Sequence, residues 1–284
     1  MKNRILLKGV NLSYGKEAKD FKNRMFGNTG FLHLKDINVH LYEGEVLGVL
    51  SDYETLFYLK EILTGTLNPS KGKVKSSGGI LSLDIMDHVK NPFALSFFIE
   101  ELLEEYVSGK AFGQKIELLH EIPVIRNNLK KKLTELSRKQ LAHILLEISA
   151  VIEADVIIYT NFYEHLEDLS KFQSIVNMHE NKGRGILLLE TEIEPIERIA
   201  NFFTWVSYGQ TRFEGSVEQG VESYNKYLQQ KSMIKNTEQE ALFDLEWKRH
   251  VYEDSYYGDQ YKRLGKQQVS VLDNINIRKI IITL

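Results

Sequence analysis

The sequence predicts an α/β fold built on a parallel sheet with helices on both faces. Two observations carry this. The runs "EVLGVL", "ADVIIYT" and "GRGILLLET" are apolar without alternation, which is what strands buried on both faces require. These runs alternate along the chain with segments of helical spacing, such as "LFYLKEIL" and "LSRKQLAHILLEISAVI", the order of a βαβ protein.

Taken in order, "ILLKGVNLSY" reads as a strand, and "FLHLKDINVHLYEGEVLGVL" as a pair of strands joined at Glu43-Gly44. The polar, basic insert Gly15 to Gly30 reads as an exposed loop or short helix. "LFYLKEIL" is a helix stopped by Gly65, "NPSKG" a turn, and "KVKSSGGILSLDIM" two short strands. From about Ala94 to Leu133 the pattern is helical, interrupted by Pro123. The next helix starts at Ser137, with Gln140 three residues on, the spacing of a capping box. A strand over "ADVIIYT", a helix from about Leu169 to Asn181 and a strand over "GRGILLLET" follow. "IEPIERIANFF" is expected to be helical, "TWVSYGQTRFEG" a hairpin, and "SVEQGVESYNKYLQQ" a closing helix. After about Lys231 the texture changes. "NTEQEALFDLEWKRHVY" suits an amphipathic helix with Thr237 and Glu240 as its capping box, "DSYYGDQYKRLGKQQ" is polar, and "VSVLDNINIRKIIITL" has strand character.

Composition narrows the function. The 284 residues are 43% hydrophobic and 26% charged, enough for one large domain or two small ones with a sizeable core. A net charge of −3 argues against a nucleic-acid partner. Cysteine is absent, which removes disulfides and thiolate metal sites and fits a reducing compartment. No apolar run approaches the roughly 18–20 residues of a membrane span, and the start "MKNRILLKGVNLSYG" lacks the long apolar core of a signal peptide. Lys130, Lys131 and Lys132 read as a solvated face. The eight histidines show no ligand spacing, no Ser/His/Asp arrangement stands out, and no metal is expected.

Five segments stand in a telling order: "GEVLGVL…LTGTLNPSKGKV", "LSRKQ", "ADVIIYTN", "GILLLET" and "WVSYGQTRFEGSVEQGVESYNKYL". In order and spacing, residues from about Ile5 to Gln230 resemble the nucleotide-binding subunit of an ABC transporter, most closely the teichoic acid and polysaccharide export type. The resemblance implies an ABC-ATPase-like (P-loop NTPase) parallel sheet core, an N-terminal antiparallel β part, and a helical subdomain at about 94–148. It places the ABC-type domain at 1–230 and a C-terminal extension at 231–284.

The motifs themselves depart from the family at every site. A phosphate loop has the form G-x-x-x-x-G-K-[ST], whose glycines let backbone N–H groups curl around phosphates while Lys and the hydroxyl hold phosphate and Mg²⁺. Counted back from Gly65, the Lys position falls on Leu56, the hydroxyl on Phe57 and the following Thr on Tyr58. The loop, Ser51, Asp52, Tyr53, Glu54 and Thr55, is about one residue short and has no glycine. A carboxylate about 4 Å from a phosphate charge costs on the order of 4 kcal/mol at an effective dielectric near 20, more than the dipole of a helix N-terminus offsets. The expected role is a strand-to-helix connection that packs Leu56 and Phe57. Where the family carries Asp then Glu, this chain has Thr160 and Asn161, which supply neither the carboxylate that tethers the metal shell nor a basic oxygen to polarise water. Thr191 replaces the switch histidine, and its acidic neighbours in "ETEIEPIE" are read as capping the next helix. The signature position keeps Leu136, Ser137 and Gln140 but exchanges glycines for Arg138 and Lys139. These face solvent as a capped helix start, or reach a γ-phosphate held by a competent partner. Tyr14, near the adenine-stacking position, reads as strand packing. Glu164, His165, Glu167 and Asp168 read as a solvated loop and helix start.

The leading expectation is a non-hydrolysing subunit without a cofactor, lying on the inner face of the cell membrane. It would pair with an ABC permease, with a catalytically competent ABC ATPase subunit, or with both, and dimerisation is one way to do so. Membrane contact would come only through the partner. One alternative is an unconventional ATPase that uses ATP and Mg²⁺. The other is a stand-alone scaffold using the tail around Phe243, Leu245 and Trp247 as a partner helix.

Overall fold

The computed structural model describes residues 4–15, 32–107, 109–166, 169–234, Phe243 and 250–251. The insert following Gly15, Glu167, Asp168, and the tail residues Thr237, Glu240, Leu245 and Trp247 lie outside the described residues, as does "VSVLDNINIRKIIITL".

The elements run β1 (Ile5–Gly15), β2 (Leu32–Tyr42), β3 (Val46–Leu50), α1 (Tyr53–Leu63), β4 (Lys71–Ser76), β5 (Ile80–Asp84) and α2 (Ile85–His88). Then come α3 (Leu95–Tyr106), α4 (Lys110–Glu121), α5 (Pro123–Arg126), α6 (Arg138–Val151), β6 (Val156–Thr160), α7 (Leu169–Asn181) and β7 (Gly185–Glu190). The chain continues through α8 (Ile193–Ile199), β8 (Phe202–Ser207), β9 (Gln210–Ser216), α9 (Val217–Ser232) and β10 (His250–Val251).

Two sheets form. A three-stranded antiparallel sheet has the order β2-β1-β4, and a seven-stranded sheet the order β10-β9-β8-β3-β7-β6-β5. In the larger sheet β8, β3, β7, β6 and β5 are parallel, and β9 returns antiparallel beside β8. The unalternated apolar runs explain its centre: every residue of β3, β6 and β7 is buried. Alternation did not reveal which sheet each strand joins. β2 and β3 follow one another through the Glu43-Gly44 turn, yet they belong to different sheets, and β4 and β5 part in the same way.

Capping chemistry sets the helix ends. Gly65, just beyond the Thr64 C-cap of α1, adopts a left-handed φ of +84°, which only glycine takes without strain. The Ser137–Gln140 capping box on α6 forms both of its hydrogen bonds, at 3.2 and 3.0 Å. Pro123 starts α5, where its missing N–H is harmless. Gly48 in β3 permits α8 to approach closely, since a Cβ there would stand 2.4 Å from Ile196 Cγ2. Two boundaries differ from expectation. Phe202 and Phe203 pair with β3 and β9 as strand residues rather than extending α8. Lys71 and Gly72 of the "NPSKG" turn are already in β4.

The core has three parts. One lies between the sheet and α3–α7, including Leu145, Tyr159 and Phe172. A second joins the antiparallel sheet to α1 and the other sheet face, including Leu12, Leu56 and Leu187. The third gathers Phe203, Trp205, Phe213 and Tyr227 under α9, with Phe243 stacked on Tyr227 at 5.7 Å.

Candidate functional site

In an open parallel sheet, ligands bind beyond the carboxyl ends of the strands. Here register places Leu50 beside Glu190, Leu189 beside Thr160, and Thr160 beside Asp84. The rim thus brings together Ser51, Asp52, Thr160, Asn161 and Thr191, along with Asp84, which the sequence reading passed over, and Glu190, which it grouped with the helix-capping acids.

The phosphate-loop position is filled by a much tighter connection. Only Ser51 and Asp52 separate β3 from α1; Tyr53, Glu54 and Thr55, expected in the loop, form the first helical turn. The described non-glycine residues with positive φ include neither of the two. The backbone therefore does not curl its N–H groups into an anion nest. Asp52 occupies the helix terminus itself. Its Oδ1 accepts from Thr55 N at 2.9 Å, and its Oδ2 accepts from the Thr55 hydroxyl at 2.7 Å. The donors that would meet a phosphate meet the chain's own carboxylate instead. Glu54 adds a second carboxylate in that turn, beside His33 Nδ1 at 3.1 Å.

Leu56, at the lysine position, is fully buried, as an apolar side chain on the inner face of α1 should be. Phe57 departs from expectation: it is 38% exposed and meets Tyr58 edge-on at 5.4 Å. Its place on α1, one residue past the buried Leu56, turns it outward. Tyr14 is half-buried, and its ring lies 4.8 Å from that of Tyr58, which in turn lies 4.2 Å from His33. A neighbour from α1 thus packs against the ring that the resemblance assigns to adenine.

At the end of β6, Thr160 is buried, and its Oγ1 has no hydrogen-bond partner among the described residues. Asn161 takes a left-handed φ of +44°, which its short amide tolerates. Its Oδ1 accepts from Thr191 N at 3.1 Å, and its own N donates to Leu189 O at 2.8 Å. Glu190 bonds in the opposite direction: Oε1 accepts from Phe162 N at 3.2 Å and Tyr163 N at 3.4 Å. The two strand ends are clamped reciprocally, each side chain binding the other strand's loop. Burial pushes the Glu190 carboxyl up to about 8 despite these two N–H donors, and Glu164 adds to the rise. Glu190 is therefore largely protonated at neutral pH.

This corrects the reading of "ETEIEPIE". Glu190 turns inward, and Glu192, the N-cap of α8, makes no capping bond with its side chain. Glu194 alone serves the first turn, where it pairs with Arg198 at 2.7 Å and accepts from the Tyr163 hydroxyl at 3.3 Å. A carboxylate closing an all-apolar strand was the available signal for Glu190; its acidic neighbours disguised it.

The signature-like segment lies at the start of α6. Leu136 is buried, whereas Ser137, Arg138, Lys139 and Gln140 are exposed. Arg138 is close enough to His165 to help lower that imidazole's pKa, though burial is the larger cause. His165 is only 13% exposed and contacts Glu164 at 3.1 Å, so it is less solvated than expected, and Phe162 beside it is fully buried. Among the described residues no cluster of three His, Asp or Glu has metal-binding geometry. A polar cleft lined by Arg4, Glu43, Asp155, Lys182 and Arg184 opens at the opposite edge, where β6 and β7 begin.

No protein-family model matches the chain. Over 248 residues it is 21% identical to the teichoic acids export ATP-binding protein TagH of Shouchella clausii (strain KSM-K16), covering 80% of this chain and 67% of that protein. Solved structures align over a similar share of this chain. One, described as the ATP binding subunit of an ABC transporter, superposes with a TM-score of 0.62 at 16% identity, over 78% of this chain and 93% of the other. The post-hydrolysis dimer of the ATP-binding cassette MJ0796 bound to ADP and Pi gives 0.60 at 13% identity, over 75% and 99%. With its mixed sheet, antiparallel N-terminal sheet and flanking helices, the chain has the fold of an ABC-transporter ATP-binding domain, the P-loop NTPase architecture.

Proposed function

We propose that the protein is a non-hydrolysing ABC-type subunit, an architectural or regulatory partner in the export of teichoic acid or another cell-wall polysaccharide. The weak likeness to a teichoic acids export protein motivates the substrate class. One observation carries the loss of chemistry: a two-residue connection whose aspartate caps the helix that would otherwise hold phosphate. The rim offers no replacement. Thr160 and Asn161 carry no charge, and Glu190, whose carboxyl burial pushes up to about 8, is engaged by two backbone N–H groups. Fold by itself assigns no activity.

In this reading the subunit sits against the inner face of the membrane through a permease, a competent ABC ATPase subunit, or both. No helix among the described residues is long and apolar enough to cross a membrane. The exposed Arg138 and Lys139 at the capped start of α6 favour a partner that carries its own nucleotide.

Titration calorimetry with Mg-ATP tests the proposal. No binding in the micromolar range is expected by the protein alone, and no phosphate release either alone or mixed with a competent subunit whose own catalytic glutamate is removed. Micromolar binding accompanied by turnover would overturn it.

A further inference from the structure

An ion cluster between α1 and the end of β5 is unused by the reading above. Lys60 is 1% exposed, and its Nζ lies 2.8 Å from Asp84 Oδ2, 2.7 Å from Asp87 Oδ2 and 3.2 Å from Glu61 Oε1. Burial opposes charge on this amine, yet hydrogen bonds and Coulomb attraction from Asp84 and Asp87 hold the ammonium above the ordinary lysine range. Neither half would persist alone, because a buried charge without its counter-charge is strongly disfavoured.

Its location gives the cluster meaning. Lys60 is one helical turn beyond Leu56 on the same face of α1, and Leu56 stands at the phosphate-binding lysine position. Asp84 closes β5 in register with Thr160, where the resemblance expects the carboxylate that tethers a metal. The cationic side chain and the carboxylate are both present, each displaced by one step, and they bind each other. Asp84 is further fixed by accepting from Met86 N at 2.9 Å through its Oδ1.

We propose that the Lys60 ammonium is the built-in cation of this rim. It gathers Asp84 and Asp87 and ties α1 to β5, as a bound divalent ion would, so the rim stays assembled without one. The inference rests on the metal-free reading above. Its test uses nucleotide-free protein, so micromolar Mg-ATP binding by the wild type would sink that reading while leaving this result legible.

In the full-length chain, Lys60→Ala deletes the propylammonium end and leaves three carboxylates around the gap, those of Asp84, Glu61 and the half-exposed Asp87. Its Tm should fall by about 10 °C, the scale of a broken buried ion pair in a chain of this size. Millimolar propylammonium or Mn²⁺ should each recover a large part of that loss relative to sodium chloride at matched ionic strength. Mn²⁺ binding should be one to one, and the wild type should not respond. Adding Asp84→Asn and Asp87→Asn should abolish the recovery. If Lys60→Ala fails to fold in plain buffer, its refolding yield with and without the two cations is the readout. The proposal is overturned if neither cation raises Tm or yield, if the triple variant gains equally, or if Lys60→Met is as stable as the wild type.

Discussion

The interior of the seven-stranded sheet and its carboxyl rim are built on different principles. Beneath the sheet, Tyr159, Phe162 and Phe172 pack with ring centroids 5.1–5.9 Å apart, and almost every neighbour is apolar. At the rim, where the strands end and α1 begins, Asp52, Lys60, Asp84, Asn161 and Glu190 are committed to one another or to backbone N–H groups. In a nucleotide-binding fold the interior is finished by folding, while the rim's donors and charges are completed by ligand. Here the chain completes the rim with its own side chains. Fold class alone therefore does not reveal whether a ligand edge is open.

The interior should fail hardest. Phe172→Ala removes a fully buried ring from between Tyr159 and Phe162, and the transfer and cavity costs together come to about 3–5 kcal/mol. Urea unfolding should show a lower midpoint at an unchanged slope. A loss below about 1 kcal/mol would mean that this side of the sheet is as loosely specified as a surface.

Glu190 gives an intermediate effect with a distinctive pH dependence. Burial raises its carboxyl from 4.5 to about 8 in the folded chain. Below about 4.5 folded and unfolded chains both hold the proton; between there and about 8 only the folded chain does. Unfolding then releases a proton, so stability falls as the pH rises through this window. Glu190→Gln is neutral and keeps an oxygen acceptor for Phe162 N and Tyr163 N. Relative to the wild type it should gain about 2–4 kcal/mol between pH 5 and pH 9. Parallel stability curves for the two proteins would show that Glu190 is ionised throughout, and the rim would be open to charge after all.

The same contrast explains what could be read in advance. Buried strands such as "VIIYT" and "GILLL" announce themselves because both faces are apolar, and the Ser137–Gln140 box because its geometry is local. The partnership of Lys60 with Asp84 spans 24 positions, and no periodicity encodes it: in sequence, Lys60 is one more charged residue on an amphipathic helix. Glu190 was hidden by Glu192, Glu194 and Glu197, since composition cannot tell which of four acids turns inward. The length of the β3–α1 connection was overestimated because Gly65 fixes where the helix stops, whereas its start is set by the Asp52 cap. Sheet membership depends on pairing between distant strands, so "FLHLKDINVHLYEGEVLGVL" read as two strands without disclosing that they diverge.

Asp52 offers the smallest effect and the finest discrimination, because two variants separate its charge from its geometry. Asp52→Ala deletes the cap on α1 and should cost about 1 kcal/mol. Asp52→Asn keeps an oxygen that can accept from Thr55 N, and asparagine caps about as well, so stability should hold within about 0.5 kcal/mol. What the asparagine removes is the negative charge in front of the helix. If charge alone closed the rim, Asp52→Asn would acquire Mg-ATP binding, since the penalty of roughly 4 kcal/mol at an effective dielectric near 20 corresponds to almost three decades of affinity. We expect calorimetry to find no such gain. The connection would still be two residues long, without a left-handed turn to aim successive N–H groups at one anion, and Leu56 would still occupy the lysine position. Binding by the asparagine variant would place the barrier to nucleotide in a single carboxylate; its absence places it in the short connection and Leu56 together, beyond the reach of any one substitution.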